Sequence, residues 1–278
     1  MTAPVLHDRI PDDVLEGAFR PLPGTRPLAP DDWLRRDGAY GAQMAARAAL
    51  LGTRRDQVLA ALPDAAAAMS ELFRMVCDVL RRDPGYRFCD RDVVCPDGRV
   101  VSLTADDPVA ILAQLVQCDF CLLDRMPGAR QHSLRAAALC FPASWRLSDK
   151  IGRPLSTIHA PVSPYDDAMA RRVQRLFDGV RAGAGLWRAN LLSYADPALF
   201  QPRHPGAAKP RPTDGQGFLR SERQTIIRLP KTGTVVFSIH TYQVRVGSVT
   251  EDLRGRLEAR AGQRRWAESE PRLKAARS

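Results

Sequence analysis

The sequence predicts an α+β fold, with one central antiparallel sheet covered on a face by helices and a helical segment preceding it. Three observations lead there. Helical periodicity dominates the first third of the chain, and strands able to pair with their neighbours dominate the remainder. Two hairpin turns are written into the sequence, Pro96-Asp97-Gly98 and Leu229-Pro230-Lys231-Thr232-Gly233. Regular alternation of strand and helix, which a parallel doubly wound sheet requires, is absent.

Residues 1–30 are proline-rich and expected to be extended. Asp31-Asp32-Trp33 opens a helix reaching about Leu51, its acidic residues suited to the positive end of a helix dipole. A second helix is expected from about Asp64 to Arg82, where Met69, Leu72, Phe73, Val76, Cys77 and Leu80 share one stripe. Val93–Leu103 reads as a hairpin around the Pro-Asp-Gly turn. Asp107-Pro108 supplies a cap and a first-turn proline for a helix to about Gln117. Two apolar runs, Phe120–Leu123 and Ala136–Phe141, read as buried strands joined across Pro127-Gly128. Ser163-Pro164-Tyr165-Asp166 has a capping-box pattern and starts a helix to about Arg181. Leu186–Tyr194 comes next as a strand, with Trp187, Ala189 and Leu191 on one side and Arg188 and Asn190 on the other. Residues 196–217 form a long loop without period. Phe218–Arg228 and Val235–Tyr242 make the best strand pair, and a last helix begins near Ser248 or Thr250. The expected organisation is an N-terminal segment over 1–30, one domain over 31–250, and a helix with a basic tail over 251–278.

The chain has 278 residues, 45% of them hydrophobic, enough for a sizeable core. Its 41 basic and 31 acidic residues leave a formal charge of +10, almost entirely from arginine. Such a balance favours an acidic partner, but no nucleic-acid module or interleaving of aromatic and basic residues accompanies it. Neither a signal-peptide pattern nor a run of roughly 18 apolar residues is visible, so the chain is expected in the cytoplasm and off the membrane. The cysteines 77, 89, 95, 118, 121 and 140 are then expected to stay reduced. Cys118 and Cys121 form a lone CxxC without a second pair at zinc spacing, and read as small buried residues. Dinucleotide and phosphate loops, the GxSxG elbow and the HExxH motif are all missing.

Three places carry candidate chemistry. Phe141–Val162 is broken by three prolines, and such a segment is suited to holding one side chain, His159, in a fixed direction. A neutral imidazole held this way suits axial haem ligation, although from composition alone a histidine satisfied by hydrogen bonds in a turn is the commoner case. The run Arg220-Ser221-Glu222-Arg223-Gln224 puts five polar residues in one strand. Either that strand is an edge, or its polar groups line a pocket; the apolar strand beside it favours the pocket. Its guanidiniums suit carboxylates such as haem propionates, and Glu222 suits an ammonium. Arg188 and Asn190 form the third group.

Three segments carry a resemblance. FPASWRLSDKIGRPLSTIHAPV at 141–162, LWRAN at 186–190 and LRSERQTIIRLPKTGTVVFSIHTY at 219–242 resemble the haem-dependent oxidative N-demethylase alpha-subunit family. The match runs in order from about Arg26 to Tyr242. It implies a PAS-like haem-binding domain and oxygen-dependent removal of a methyl group from a small secondary amine such as dimethylamine, with release of formaldehyde. It also implies haem b here, flavin and an iron–sulfur centre on separate reductase components, and tetrahydrofolate as a possible acceptor of the formaldehyde. By motif position, His159 is the expected axial ligand, Arg223 and Arg228 the propionate partners, Glu222 the holder of the amine, and Arg188 a pocket residue. Leu191, Ser163 and His240 depart from the family pattern, which has Trp, Pro and Arg there. His240 is therefore a rival iron ligand. A haem-binding sensor of PAS type, without enzymatic activity, is the alternative reading.

Overall fold

The computed structural model describes residues 4–104, 107–159, 167–204, 207–210, 212 and 216–259, the side chains of His159 and Asp167 excepted. In chain order its elements begin with α1 (Asp12–Ala18), β1 (Arg26–Pro27), α2 (Tyr40–Thr53), α3 (Arg55–Val58), β2 (Leu59–Ala61) and α4 (Ala66–Leu80). Next come β3 (Arg87–Phe88), β4 (Asp92–Val94), β5 (Val100–Ser102), α5 (Pro108–Leu115), β6 (Asp119–Asp124) and β7 (Ser133–Ala138). The rest is α6 (Leu155–His159), α7 (Asp167–Gly179), β8 (Leu186–Tyr194), β9 (Phe218–Arg228), β10 (Val235–Arg245) and α8 (251–259). Seven strands form one antiparallel sheet in the order β1-β8-β9-β10-β6-β7-β2, and β3-β4-β5 form a small second sheet. The α+β class and the antiparallel sheet are as the sequence predicts.

Period two decides what each face of the sheet buries. Trp187, Ala189, Leu191, Leu219, Ile227, Val236 and Tyr242 point to the side packed by α1, α2, α4 and α5. Ile226, Val235, Phe237 and Ile239 point to the other side, under Leu147, α6 and the end of α7. The sheet is thus covered on both faces, not on one as expected. The stripe on α4 also behaves as its period requires: Leu72, Val76, Cys77 and Leu80 are buried and Met69 and Phe73 pack against the same core. At α5, the Asp107 carboxylate accepts from the Ala110 N–H at 3.1 Å, the expected cap.

Two expectations for the N-terminal part need correction. Residues 1–30 are not wholly extended, because α1 lies within them and packs Val14 and Ala18 against β8. The helix expected from Asp31 starts nine residues later, at Tyr40. The acidic residues instead sit in a single 3-10 turn over Pro30–Asp32, where Asp32 accepts from Arg35 and Arg223. Trp33 turns inward there, and its indole N–H donates to Ser238 Oγ at 3.0 Å. These tertiary bonds outweigh the dipole preference, which is worth a fraction of a kcal/mol.

Beside the sheet, Arg47 of α2 is fully buried and paired with Asp119 at 2.7 Å. The same carboxylate accepts from the main-chain N–H groups of Cys140 and Phe141 at 2.8 and 2.9 Å. This fixes where β7 ends and the segment leading to His159 begins. The expected capping box at Ser163–Asp166 and the tail beyond 259 lie outside the described residues.

Candidate functional site

β9 runs between β8 and β10, so its polar residues are not at an edge. Every residue from Phe218 to Ile227 is buried. The register divides the polar residues cleanly. Glu222 is aligned with Asn190 on β8 and Thr241 on β10, while Arg223 is aligned with Ala189 and His240. Since side chains alternate along a strand, these two rows face opposite ways. The sequence places Glu222 and His240 within reach of one pocket; the structure puts the sheet between them.

On the Glu222 side, polar groups converge on one carboxylate. Asn190 Nδ2 donates to Glu222 Oε2 at 2.9 Å and Gln224 Nε2 donates to the same oxygen at 3.1 Å. Arg220 donates to Oε1 at 3.3 Å. Asn190 Oδ1 also accepts from the Glu222 backbone N–H, which holds the two residues in register. Arg188, half-buried on this face, donates to Gln224 Oε1 at 3.3 Å. Arg220 is fully buried and reaches outward to the main chain, donating to the carbonyls of Leu199 and Phe141. It therefore ties the head of the 141–159 segment and the 196–217 loop to the strand that carries Glu222.

The 141–159 segment lies over this same face. Trp145, Leu147, Leu155 and Ile158 pack with Ile226 and Ile239. α6 ends at His159, whose side chain lies outside the described atoms. Lys150 Nζ donates to the Ile158 carbonyl, securing the turn next to His159. Ser144 takes a left-handed conformation with φ 68°, a strained choice for a residue with a Cβ. Its N–H donates to the Gln201 carbonyl at 3.0 Å, and its hydroxyl lies 3.4 Å from that of Tyr194.

The other two expected arginines are engaged elsewhere. Arg223 is on the opposite face, beneath Trp187, and donates to Asp32 Oδ2 and the Asp32 carbonyl at 2.7 Å each. Arg228 is on the same face as Glu222 but at the far end of β9, about 20 Å away at ~3.3 Å per residue. Its guanidinium donates to the carbonyls of Phe177, Val180 and Gly233, closing the end of α7 against the hairpin. The sequence motif named both as propionate partners; Arg223 lies on the face opposite Glu222 and Arg228 at the far end of the strand, while Arg188 lies on the Glu222 face beside Gln224.

His240 is buried against Tyr242 and Cys118. Its Nε2 lies 2.8 Å from Asp37 Oδ2, which also meets His7 Nε2 at 3.1 Å. Burial alone would raise the Asp37 pKa, but the hydrogen bonds from both histidines outweigh it and hold the group well below its ordinary value. Among the described residues this is the group of side chains spaced to hold a metal ion. The hydrogen bonding argues otherwise. His7 Nδ1 accepts from the Gln243 N–H, so its proton sits on Nε2, the nitrogen a metal would need. The cluster is a structural tie that fastens residues 5–7 to β10.

Tyr194 and Lys209 were not singled out from sequence. Continuing the alternation from Arg188 through Asn190 places Tyr194 on the same face, so its position was available in the pattern. The position of Lys209, in an aperiodic loop, was not. Cys118, just before β6, and Cys121 within it are small buried residues that pack into different core clusters; burial pushes the Cys118 thiol up to about 12.

No curated protein matches the chain. A family model described as haem-dependent oxidative N-demethylase, alpha subunit-like, matches residues 24–266, well over half of the sequence, and the chain belongs to that family.

Proposed function

We propose that the chain removes a methyl group oxidatively from a small secondary amine of the dimethylamine kind, releasing formaldehyde. The observation that carries this reading is Glu222. It is a carboxylate only 5% exposed, with two amide donors and a guanidinium around it, on the sheet face under the 141–159 segment. A buried carboxylate so placed is suited to a cation small enough to enter. A dialkylammonium offers two N–H donors to it.

The residues on this face fit a haem in their chemistry. Trp145, Leu155 and Ile158 offer an apolar wall, and the buried Arg220 Nε has no partner among the described residues. His159 at the end of α6 would hold the iron, and Arg188 would meet a propionate. Arg223 and Arg228 are not proposed for that role. Haem when bound supplies the activation of oxygen, with electrons from separate flavin and iron–sulfur components. Asn190 and Gln224 orient the Glu222 carboxylate, and Glu222 Oε holds the ammonium proton. The secondary amine, O2, two electrons and two protons together give the primary amine, formaldehyde and water.

The test is amine-dependent formaldehyde release by the full-length chain, reconstituted with haem and supplied with a reductase and ferredoxin. Dimethylamine should yield equal amounts of formaldehyde and methylamine, and Glu222→Gln should lower the rate at least about tenfold, the scale of one lost charged contact. A chain that binds and reduces haem yet releases no formaldehyde with any small amine would instead support the sensor reading.

A further inference from the structure

Lys209 makes an unusual choice of partner. Its ammonium nitrogen lies 3.5 Å from the centroid of the Tyr194 ring, and Tyr194 is almost wholly buried. Among the described residues it forms neither an ion pair nor a hydrogen bond. Lysine is strongly hydrated and flexible, so its ammonium normally stays in water unless a carboxylate holds it. Here burial, helped by the charges of Arg203 and Arg220, pushes its pKa down to about 8, against the opposing pull of Glu222. The ammonium therefore rests on an aromatic face at some cost to its own charge.

The surroundings describe a cation subsite. The π face of a tyrosine attracts an ammonium, and aromatic faces are a recurring device for alkylammonium ligands. Arg220 links this ring to the carboxylate: its guanidinium carbon is 5.9 Å from the ring centroid, and one of its nitrogens is 3.3 Å from Glu222 Oε1. Arg220 thus bridges the ring and the carboxylate, which lie on one face of the sheet. Ser144 Oγ, 3.4 Å from the Tyr194 hydroxyl, anchors the ring's far edge.

We infer that the Tyr194 ring face is a subsite for a small alkylammonium, and that Lys209 fills it as an internal stand-in which such a ligand displaces. The inference deepens the amine reading above and rests on it for the class of ligand. It makes Lys209 a specificity-determining residue. A ligand cation must compete with a tethered ammonium, and a neutral molecule gains nothing from the ring face.

Tetramethylammonium is the probe. It has no N–H group, so it reports the ring face without the carboxylate hydrogen bond. It should be titrated calorimetrically into the full-length chain, with haem content recorded by absorbance, and into Lys209→Met, Lys209→Arg, Tyr194→Phe and the double variant Lys209→Met with Tyr194→Leu. Removal of the tethered cation should tighten binding on the order of tenfold in Lys209→Met, the scale of a desolvated cation–aromatic contact. Lys209→Arg should bind like the wild type. Tyr194→Phe should retain binding, because it keeps the ring and folds without the hydroxyl contact. The double variant should lose the gain. Equal affinity in wild type and Lys209→Met would overturn the inference, as would binding lost in Tyr194→Phe. The titration needs no turnover, so a failed formaldehyde assay leaves its result standing on its own.

Discussion

On the odd-numbered face of β9, Arg223 ends on Asp32 and a main-chain carbonyl, and its neighbour His240 ends on Asp37. On the even-numbered face, Glu222 draws donors from Asn190, Gln224 and Arg220. Both faces bury charge in the middle of a sheet, where an unpaired charge is costly. They resolve the cost differently. The first pairs each charge with a fixed group of the chain's own and fastens the N-terminal segment to the sheet. The second surrounds a carboxylate with neutral amides and with a guanidinium that it shares with two main-chain carbonyls, the arrangement on which the proposed cation site rests. Charged residues in alternate positions of one strand are thus fastened to the N-terminal segment on one side and, in the function proposed above, would serve a ligand on the other.

The largest expected effect that sharpens this contrast is on stability. Arg223→Met should destabilise the fold by about 2 kcal/mol, below the 3–5 kcal/mol of a fully buried broken pair because Asp32 is a third exposed and keeps Arg35. A urea unfolding curve should show the midpoint lowered at unchanged slope, with haem and ammonium binding per folded molecule intact. Loss of ligand binding in this variant, at full stability, would erase the distinction between the faces.

A smaller effect concerns pH. Burial holds the His240 pKa below its ordinary value, against the opposing hydrogen bond from Asp37. Below about pH 6.5 the unfolded chain binds a proton at this residue that the folded chain refuses. The contribution of His240 is then complete above pH 6.5 and is lost as pH falls from there toward the folded value. The wild type should lose stability over that interval, and His240→Gln should flatten the slope by up to about 1.4 kcal/mol per pH unit. His132, also lowered by burial, would account for a remaining slope. An unchanged slope in His240→Gln would show that this imidazole is not held neutral.

How much of this was legible in the sequence depends on the range of the interaction. Period two assigned the faces of β8 correctly, because alternation is a local property of an extended backbone. The hairpin turns and the Asp107 cap are equally local. What the sequence did not show is which face each side chain's partner occupies. Arg223 and Arg228 share a motif with Glu222, yet one points through the sheet and the other lies six residues further along it. The pairing of Asp37 with His7 and His240, 30 and 203 positions away, needs the tertiary fold to be visible. So does the approach of Lys209 to Tyr194 from a loop that has no period.

The central claim is that the site lies on the Glu222 face and that His159 serves it while His240 does not. The most direct test is the absorption spectrum of the haem-reconstituted chain beside His159→Ala and His240→Ala. The Soret band of the wild type should be lost or strongly shifted in His159→Ala and retained in position in His240→Ala. A band that survives His159→Ala unchanged and disappears in His240→Ala would place the iron on the opposite face and contradict the account.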